Sequence, residues 1–347
     1  MTTTQYKWTV IGAGPAGIAA TGRLLDHGVP AHQIAWIDPE FAAGDLGGKW
    51  RAVPGNTPVA LFHEYLEASP AFRYHEAPQF ELAEIDPRDT CPLGLVADPL
   101  VWITEHLARR VEAVRGNAVE LTLRERRWTI ETDQGPISSE KVILAVGSTP
   151  KSLAHPRLRE IPLDIALNPD KLASQPLDGA VVAVFGSSHS SMVALPNLLD
   201  RPVAKVVNFY RSPLRYALPM DGWTLFDDTG LKGKAALWAK EHIDGTLPDR
   251  LQRVHTGTPE FAARLGECDH IVYTVGFERR RKPGTPQWGP LEHNPANGII
   301  APGLFGLGIA YPNCSDEPLG GTQSRVGLQK FMSHLNAVLP IWTRYGL

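Results

Sequence analysis

With 347 residues, 34 basic and 37 acidic side chains and a net charge of −3, the chain offers no electrostatic case for a nucleic-acid or anionic-membrane partner. No apolar run reaches the length of a membrane span. The first residues lack the basic, apolar and cleavage regions of a signal peptide, so the expected location is the cytoplasm. Cys91, Cys268 and Cys314 are widely spaced with no C-x-x-C pair, which excludes a redox dithiol of the adjacent type and fits a reducing compartment. No metal site is expected, and the length suits two domains.

The first predicted element is a short strand, Trp8 to Ile11, running into V-I-G-A-G-P-A-G from Val10 to Gly17 and then a helix through Leu25. In such a loop Gly12 permits the tight turn, Gly14 lets the backbone approach a pyrophosphate, and Gly17 lets helix and strand pack closely. Pro15 and Ala16 complete the cradle. The helix N-terminus then meets phosphate charge with backbone N–H groups. A second strand, Gln33 to Ile37, ends at Asp38, where a carboxylate should accept from a ribose. Strand, glycines, helix, strand and acid together predict a dinucleotide site.

A degraded copy follows. Ala180 to Phe185 is an apolar run suited to a parallel sheet buried on both faces, and it leads into Gly186-Ser187-Ser188-His189-Ser190-Ser191. The turn glycine survives while serines replace the other two. The next strand, Ala204 to Tyr210, ends at Arg211-Ser212. Gly12 to Asp38 and Gly186 to Arg211 are nearly equal spacings, so an arginine stands where the first copy has its acid. An arginine there suits a 2′-phosphate, hence NADP(H). The competing reading is a solvent-facing strand cap beside a loop that binds nothing. A further pair, Lys141 to Pro150 and His270 to Arg279, shares an apolar strand and a Val-Gly, with Gly147 and Gly276 letting the chain leave near the cofactor. The repetition predicts an α/β protein of two Rossmann-like, doubly wound, three-layer domains. The expected division is 1–150 with 285–347 for a discontinuous first domain and 151–284 for the second, with an insertion at about 213–257. A helix is predicted from Lys234 to His242.

These segments resemble the two-dinucleotide-binding-domain flavoproteins, which include flavin-containing monooxygenases and disulfide reductases. The stretch Leu46-Gly-Gly-Lys-Trp50 followed by Val53-Pro-Gly-Asn-Thr57 is similar to the G-G-x-W segment of the monooxygenases. The resemblance implies FAD in the first domain, with Gly47, Gly48, Lys49 and Trp50 along it and Asn56 beside the isoalloxazine as the catalytic candidate. Pro302 to Ala310 resembles the closing FAD strand, but Ile309 follows Gly308 where many relatives place an aspartate on the ribityl chain. Gly320 to Leu335 reads as a glycine turn entering a helix whose positive end faces the flavin, lined by Thr322, Gln323 and Val326.

Lys151 to Pro162 does not match the family's F-x-G-x-x-x-H-x-x-x-Y/F signature, and the chain is shorter than typical flavin monooxygenases. The activity implied is NADPH-dependent oxygen transfer through a C4a-hydroperoxyflavin to a small amine or sulfide, with a homodimer compatible with it. A flavin reductase or oxidase, and a non-catalytic FAD sensor with a decayed second site, stay open. Among the histidines only His189 carries functional weight, since its loop should face the nicotinamide nucleotide. Cys314 reads as a buried small hydrophobe near the flavin strand.

Overall fold

The computed structural model describes residues 5–280, 282–289, 292–316 and 321–345. Two parallel sheets organise them. In the first, strands Leu304–Gly306, Ile137–Leu144, Gln5–Ile11, Ile34–Asp38 and Glu112–Arg115 lie side by side, all parallel. In the second the order is Arg159–Glu160, His270–Tyr273, Val181–Phe185, Lys205–Tyr210 and Leu251–His255, again all parallel. Both orders place the strand that carries a nucleotide loop at the centre, where doubly wound sheets bind ligands. The late strand Leu304–Gly306 returns to complete the first sheet, so that domain is discontinuous.

Each sheet is covered on both faces. One face of the first packs helices Pro15–Asp26, Leu93–Ala108 and Leu328–Arg344 around Trp8, Trp36, Phe305 and Trp342. The other face is closed by an antiparallel meander, Ala118–Arg124 and Arg127–Thr132 continuing into Ile137–Leu144, through Leu121, Trp128 and Ile130. The second sheet buries Val182, Val184 and Val206 beneath helices His189–Leu199 and Gly233–His242, and Phe185 and Phe209 on its other side.

Two elements differ from expectation. Leu251–His255 is the fifth strand of the second sheet, so the segment between the arginine strand and the resumed sheet ends near residue 250, not 257. Its composition, Leu-Gln-Arg-Val-His, buries only Leu251 and Val254, as suits an edge strand, and so shows no apolar run. Thr322–Arg325 is a strand paired with Asn313–Asp316, and the helix begins only at Leu328. Gly320, the start of the expected glycine turn, lies outside the described residues. Cys314 is exposed on the first strand of that hairpin.

The buried Lys141 ties the last helix to the first sheet. Its ammonium donates to the carbonyls of Trp342 at 2.9 Å and Thr343 at 2.8 Å, and sits 5.1 Å from the ring centroid of Trp8. Replacing Lys141 with alanine leaves two carbonyls at a helix C-terminus without their donor. A stability loss of about 2–3 kcal/mol is expected in urea unfolding.

The chain crosses between the domains twice, and the crossings pair. Ser148–Pro150 and Phe277–Arg279 form a two-stranded antiparallel ribbon with Pro150 opposite Phe277. Gly147 and Gly276, both at positive φ, stand immediately before these strands. The two Val-Gly exits are therefore the two halves of one junction.

Candidate functional site

The first loop is built as its spacing demands. Gly12, at φ +107°, could not carry a Cβ, because that atom would lie 2.3 Å from the carbonyl oxygen of Ala145. A Cβ on Gly17 would lie 1.8 Å from the carbonyl oxygen of Gly12. Gly14 is different. It is extended, and a Cβ there would meet only the Cα of Gly44, at 4.0 Å. The first two glycine contacts belong to the fold, while Gly14 leaves an open cradle at the N-terminus of helix Pro15–Asp26. That space, the free N–H groups of the first turn and the exposed Gly48, which has nothing within 4 Å of its absent Cβ, fit a pyrophosphate. Gly47 is structural, since a Cβ would lie 2.0 Å from the carbonyl oxygen of Ala42.

Asp38 is largely buried and works first on its own chain. One carboxylate oxygen accepts from the Ala13 N–H at 2.8 Å, the other from Glu40 at 2.9 Å and Phe41 at 2.7 Å. It thereby clamps the glycine loop, and the lone pairs left over are what a ribose hydroxyl would use. Lys49 pairs with Asp45 at 3.3 Å, and Arg280 also binds Asp45 and comes within 3.9 Å of where a Cβ on Gly147 would be. Trp50 turns towards the second domain, edge-on to Phe277 with centroids 6.0 Å apart, rather than along the first loop. Gly308 is pressed against Ala16, and Ile309 packs into the first core. An aspartate could not be carried that way without burying charge.

The second loop repeats the architecture in different residues. Gly186, at φ +125°, faces Thr274 as Gly12 faces Ala145, a Cβ falling 2.3 Å from the Thr274 hydroxyl. Trp36 donates to the Gly12 carbonyl at 2.9 Å, and Asn208 donates to the Gly186 carbonyl at 2.8 Å. Register makes these two residues equivalent, Trp36 lying opposite Val10 and Asn208 opposite Val184. By the same register Tyr210, not Arg211, matches Asp38. The near-equal spacing misled because the second connection between strands is two residues shorter.

Arg211 nevertheless lines a cavity of about 880 Å³ with Gly186, Ser187, Ser188, Ser212 and Gly276. It makes no ion pair among the described residues, and its carbonyl accepts from the His255 ring. Lys151 and His155 lie on the same wall, in the segment that lacks the family signature. Their signal was position alone, directly after the first Val-Gly. Ser187 donates to the Ser212 carbonyl at 2.9 Å. Ser191 is fully buried and donates to the Ser188 carbonyl at 2.7 Å, so its hydroxyl faces its own helix rather than a phosphate. Ser190 is half-buried and lies off the cavity wall.

His189 also leaves the nucleotide cavity. Its Nε2 lies 3.1 Å from the carbonyl of Pro54, two residues before Asn56, and its Nδ1 is buried without a partner. The geometry requires the Nε2–H tautomer. Burial, with nearby Lys232, holds the imidazole pKa below its usual value, against the opposing pull of the Pro54 contact. The unfolded chain takes up a proton here at a higher pH than the native one does. Stability from this residue is therefore full above the ordinary histidine range and falls as pH drops through it. A His189→Gln variant should lose that part of the slope in urea unfolding between about pH 5 and 8.

Asn56 sits on strand Pro54–Pro58, its Oδ1 3.4 Å from the Thr57 hydroxyl. It lines a second cavity of about 610 Å³ with Phe62, Tyr216, Lys240, Val326 and Gly327. Val326 reaches this cavity, whereas Thr322 bonds Asp316 at 3.2 Å and Gln323 keeps a buried, unpartnered Oε1 in the hairpin. The cover is the segment after the arginine strand. Its Asp227 and Asp228 meet Lys330 of the last helix at 2.6 and 2.5 Å, and Asp227 also meets Lys232 at 2.5 Å. Burial opposes ionisation of Asp227, but the hydrogen bonds from Lys232 and Lys330 hold its carboxyl below the usual range. Among the described residues no cluster suits a metal ion, and no helix is long and apolar enough to cross a membrane.

Two nucleotide folds of matching strand order, one with an open glycine cradle and one with a basic cavity, define a two-dinucleotide-binding-domain flavoprotein. Residues 9–149 match the FAD-NAD(P)-binding family. Over 96% of its length the chain is 34% identical to Monooxygenase AgnR1 of Paecilomyces divaricatus, 97% of which is covered, and it belongs to that monooxygenase's family. It is an FAD-dependent oxidoreductase. The fold is shared with the flavin-containing monooxygenase of Stenotrophomonas maltophilia, at a TM-score of 0.65 and 16% identity over 99% of both chains. It is shared equally with the bacillithiol disulfide reductase of Staphylococcus aureus, at 0.65 and 10% over 98% of both.

Proposed function

We propose that the protein is an NADPH-dependent flavin monooxygenase that transfers oxygen to a small nucleophilic substrate at nitrogen or sulfur. The observation that carries this reading is the placing of Asn56 in the wall of a cavity beside the first turn of the last helix. FAD, when bound, would supply hydride acceptance and oxygen activation, chemistry that side chains lack. Gly14, Gly48 and the first turn after Pro15 would hold its pyrophosphate, and Asp38 its ribose. Asn56 would offer its amide to the reacting face.

Lys151 and Arg211 would meet the phosphates of NADPH, with Arg211 favouring the 2′-phosphate. His189 holds the Asn56 strand against the start of the second-domain helix, so nucleotide docking and Asn56 share one contact. Free cysteines without a pair, at Cys91, Cys268 and Cys314, leave no dithiol chemistry to compete with this reading.

The test is reduction of the yellow protein under argon. NADPH should bleach the flavin, and readmitted air with a thioether present should yield the sulfoxide by mass spectrometry. Bleaching followed by peroxide alone would make the protein a reductase or oxidase. Retained FAD that NADPH leaves oxidised would make it a sensor.

A further inference from the structure

The 610 Å³ chamber carries more cationic than anionic groups on its wall. Lys232, Lys240 and Lys330 face two carboxylates, Asp227 and Asp228. Both acids are committed to Lys232 and Lys330. Lys240 has no carboxylate partner among the described residues, and its ammonium stands 5.3 Å from the ring centroid of Tyr216. The Tyr216 hydroxyl is itself held by Asp244 at 2.6 Å, which fixes the ring beneath that cation. Helix Gly233–His242 adds to the positive field, for it starts on the same wall with no acidic residue in its first turn and no side-chain cap.

Leu61, Phe62, Leu231, Leu237 and Val326 give the chamber an apolar stretch of wall beside the uncharged polar Asn56, Thr57, Thr224 and Gln329. A chamber of about 610 Å³ is large enough for a small aromatic molecule. Phe226, at φ +56°, lies directly before the two acids, so the chain accepts an unfavourable backbone conformation to present them. Those carboxylates neutralise the inner lysines and leave Lys240, among the described lining residues, as the cation without a carboxylate partner, near an aromatic face.

We propose that the substrate is an anion on an apolar body, a carboxylate or comparable acidic oxygen that pairs with Lys240 while the apolar part lies towards Asn56. This rests on the reading of the chamber as the substrate site, and it makes Lys240 a specificity-determining residue. An ammonium-bearing substrate would meet a net positive wall and be rejected by repulsion as well as by lack of contact.

The test uses the oxidised, FAD-loaded protein without NADPH, so that binding is separate from turnover. Three thioethers of one shape are compared by equilibrium dialysis: (phenylthio)acetate, (phenylthio)acetamide and 2-(phenylthio)ethylamine. The acetate should bind at least roughly tenfold tighter than the amide, with the amine weakest, and the margin should shrink as salt rises. Lys240→Met should reduce the acetate to the affinity of the amide, and Lys240→Arg should keep the preference. Equal binding of the three, tightest binding of the amine, no binding of any, or an unchanged preference in Lys240→Met would overturn the proposal. A retained acetate preference in protein whose flavin NADPH cannot bleach would sink the monooxygenase reading and leave this one standing.

Discussion

A Gly14→Val protein is expected to fold normally and to come off the column without colour. The residue is extended, a conformation valine favours, and a Cβ there meets only the Gly44 Cα at 4.0 Å. Loss of stability should stay within about 1 kcal/mol. The isopropyl group would fill the cradle that a pyrophosphate needs, and FAD affinity should fall by roughly a hundredfold or more, near 3 kcal/mol. Gly17→Ala is the contrasting case. Its single methyl would sit 1.8 Å from a backbone oxygen, forcing helix Pro15–Asp26 away from its sheet. At least about 1–3 kcal/mol should be lost in denaturant unfolding, whether or not flavin is present. Flavin absorbance after desalting, read beside the unfolding midpoint, separates the two. A stable Gly14→Val protein that stays yellow would remove FAD from this loop.

Arg211→Ala should weaken NADPH by about 1.5–3 kcal/mol, the worth of a charged hydrogen bond, or roughly 10- to 150-fold in Kd. NADH, without the 2′-phosphate, should change little. Arg211 lies on the rim of the 880 Å³ cavity with no ion pair among the described residues to redirect it. Lys151 shares the wall and could carry the phosphate instead, so Lys151→Ala belongs beside it. Titration of each variant with both nucleotides gives the answer. Equal losses for NADPH and NADH in Arg211→Ala would show that its guanidinium meets some other part of the nucleotide.

The parts of this fold that sequence made legible are those where one residue type satisfies one steric demand. Gly12, Gly17 and Gly186 each stand where a Cβ would strike a neighbouring atom, so glycine there announces a strand-to-helix turn. Buried parallel strands such as Val181–Phe185 read as unbroken apolar runs for an equally simple reason. The edge strand Leu251–His255 escaped because one side of it faces solvent. Of the site, the direction of side chains was invisible. His189 and Trp50 stand beside the loops their positions suggested, yet both turn across the domain junction, to Pro54 and Phe277. Asn208 and Trp36 do the same work on equivalent strands with unrelated chemistry, which no comparison of letters reveals. The Asp227–Lys330 and Asp228–Lys330 pairs join residues about a hundred positions apart, and nothing local marks them.

The paired crossings at Ser148–Pro150 and Phe277–Arg279 carry a consequence for ancestry. Because the chain departs and returns through facing residues, the segment between Pro150 and Phe277 enters and leaves the first sheet's domain through a single doorway. A gene segment encoding one nucleotide fold could be spliced into another at that doorway without disturbing either sheet. The matching strand orders are what such a duplication and insertion would leave behind.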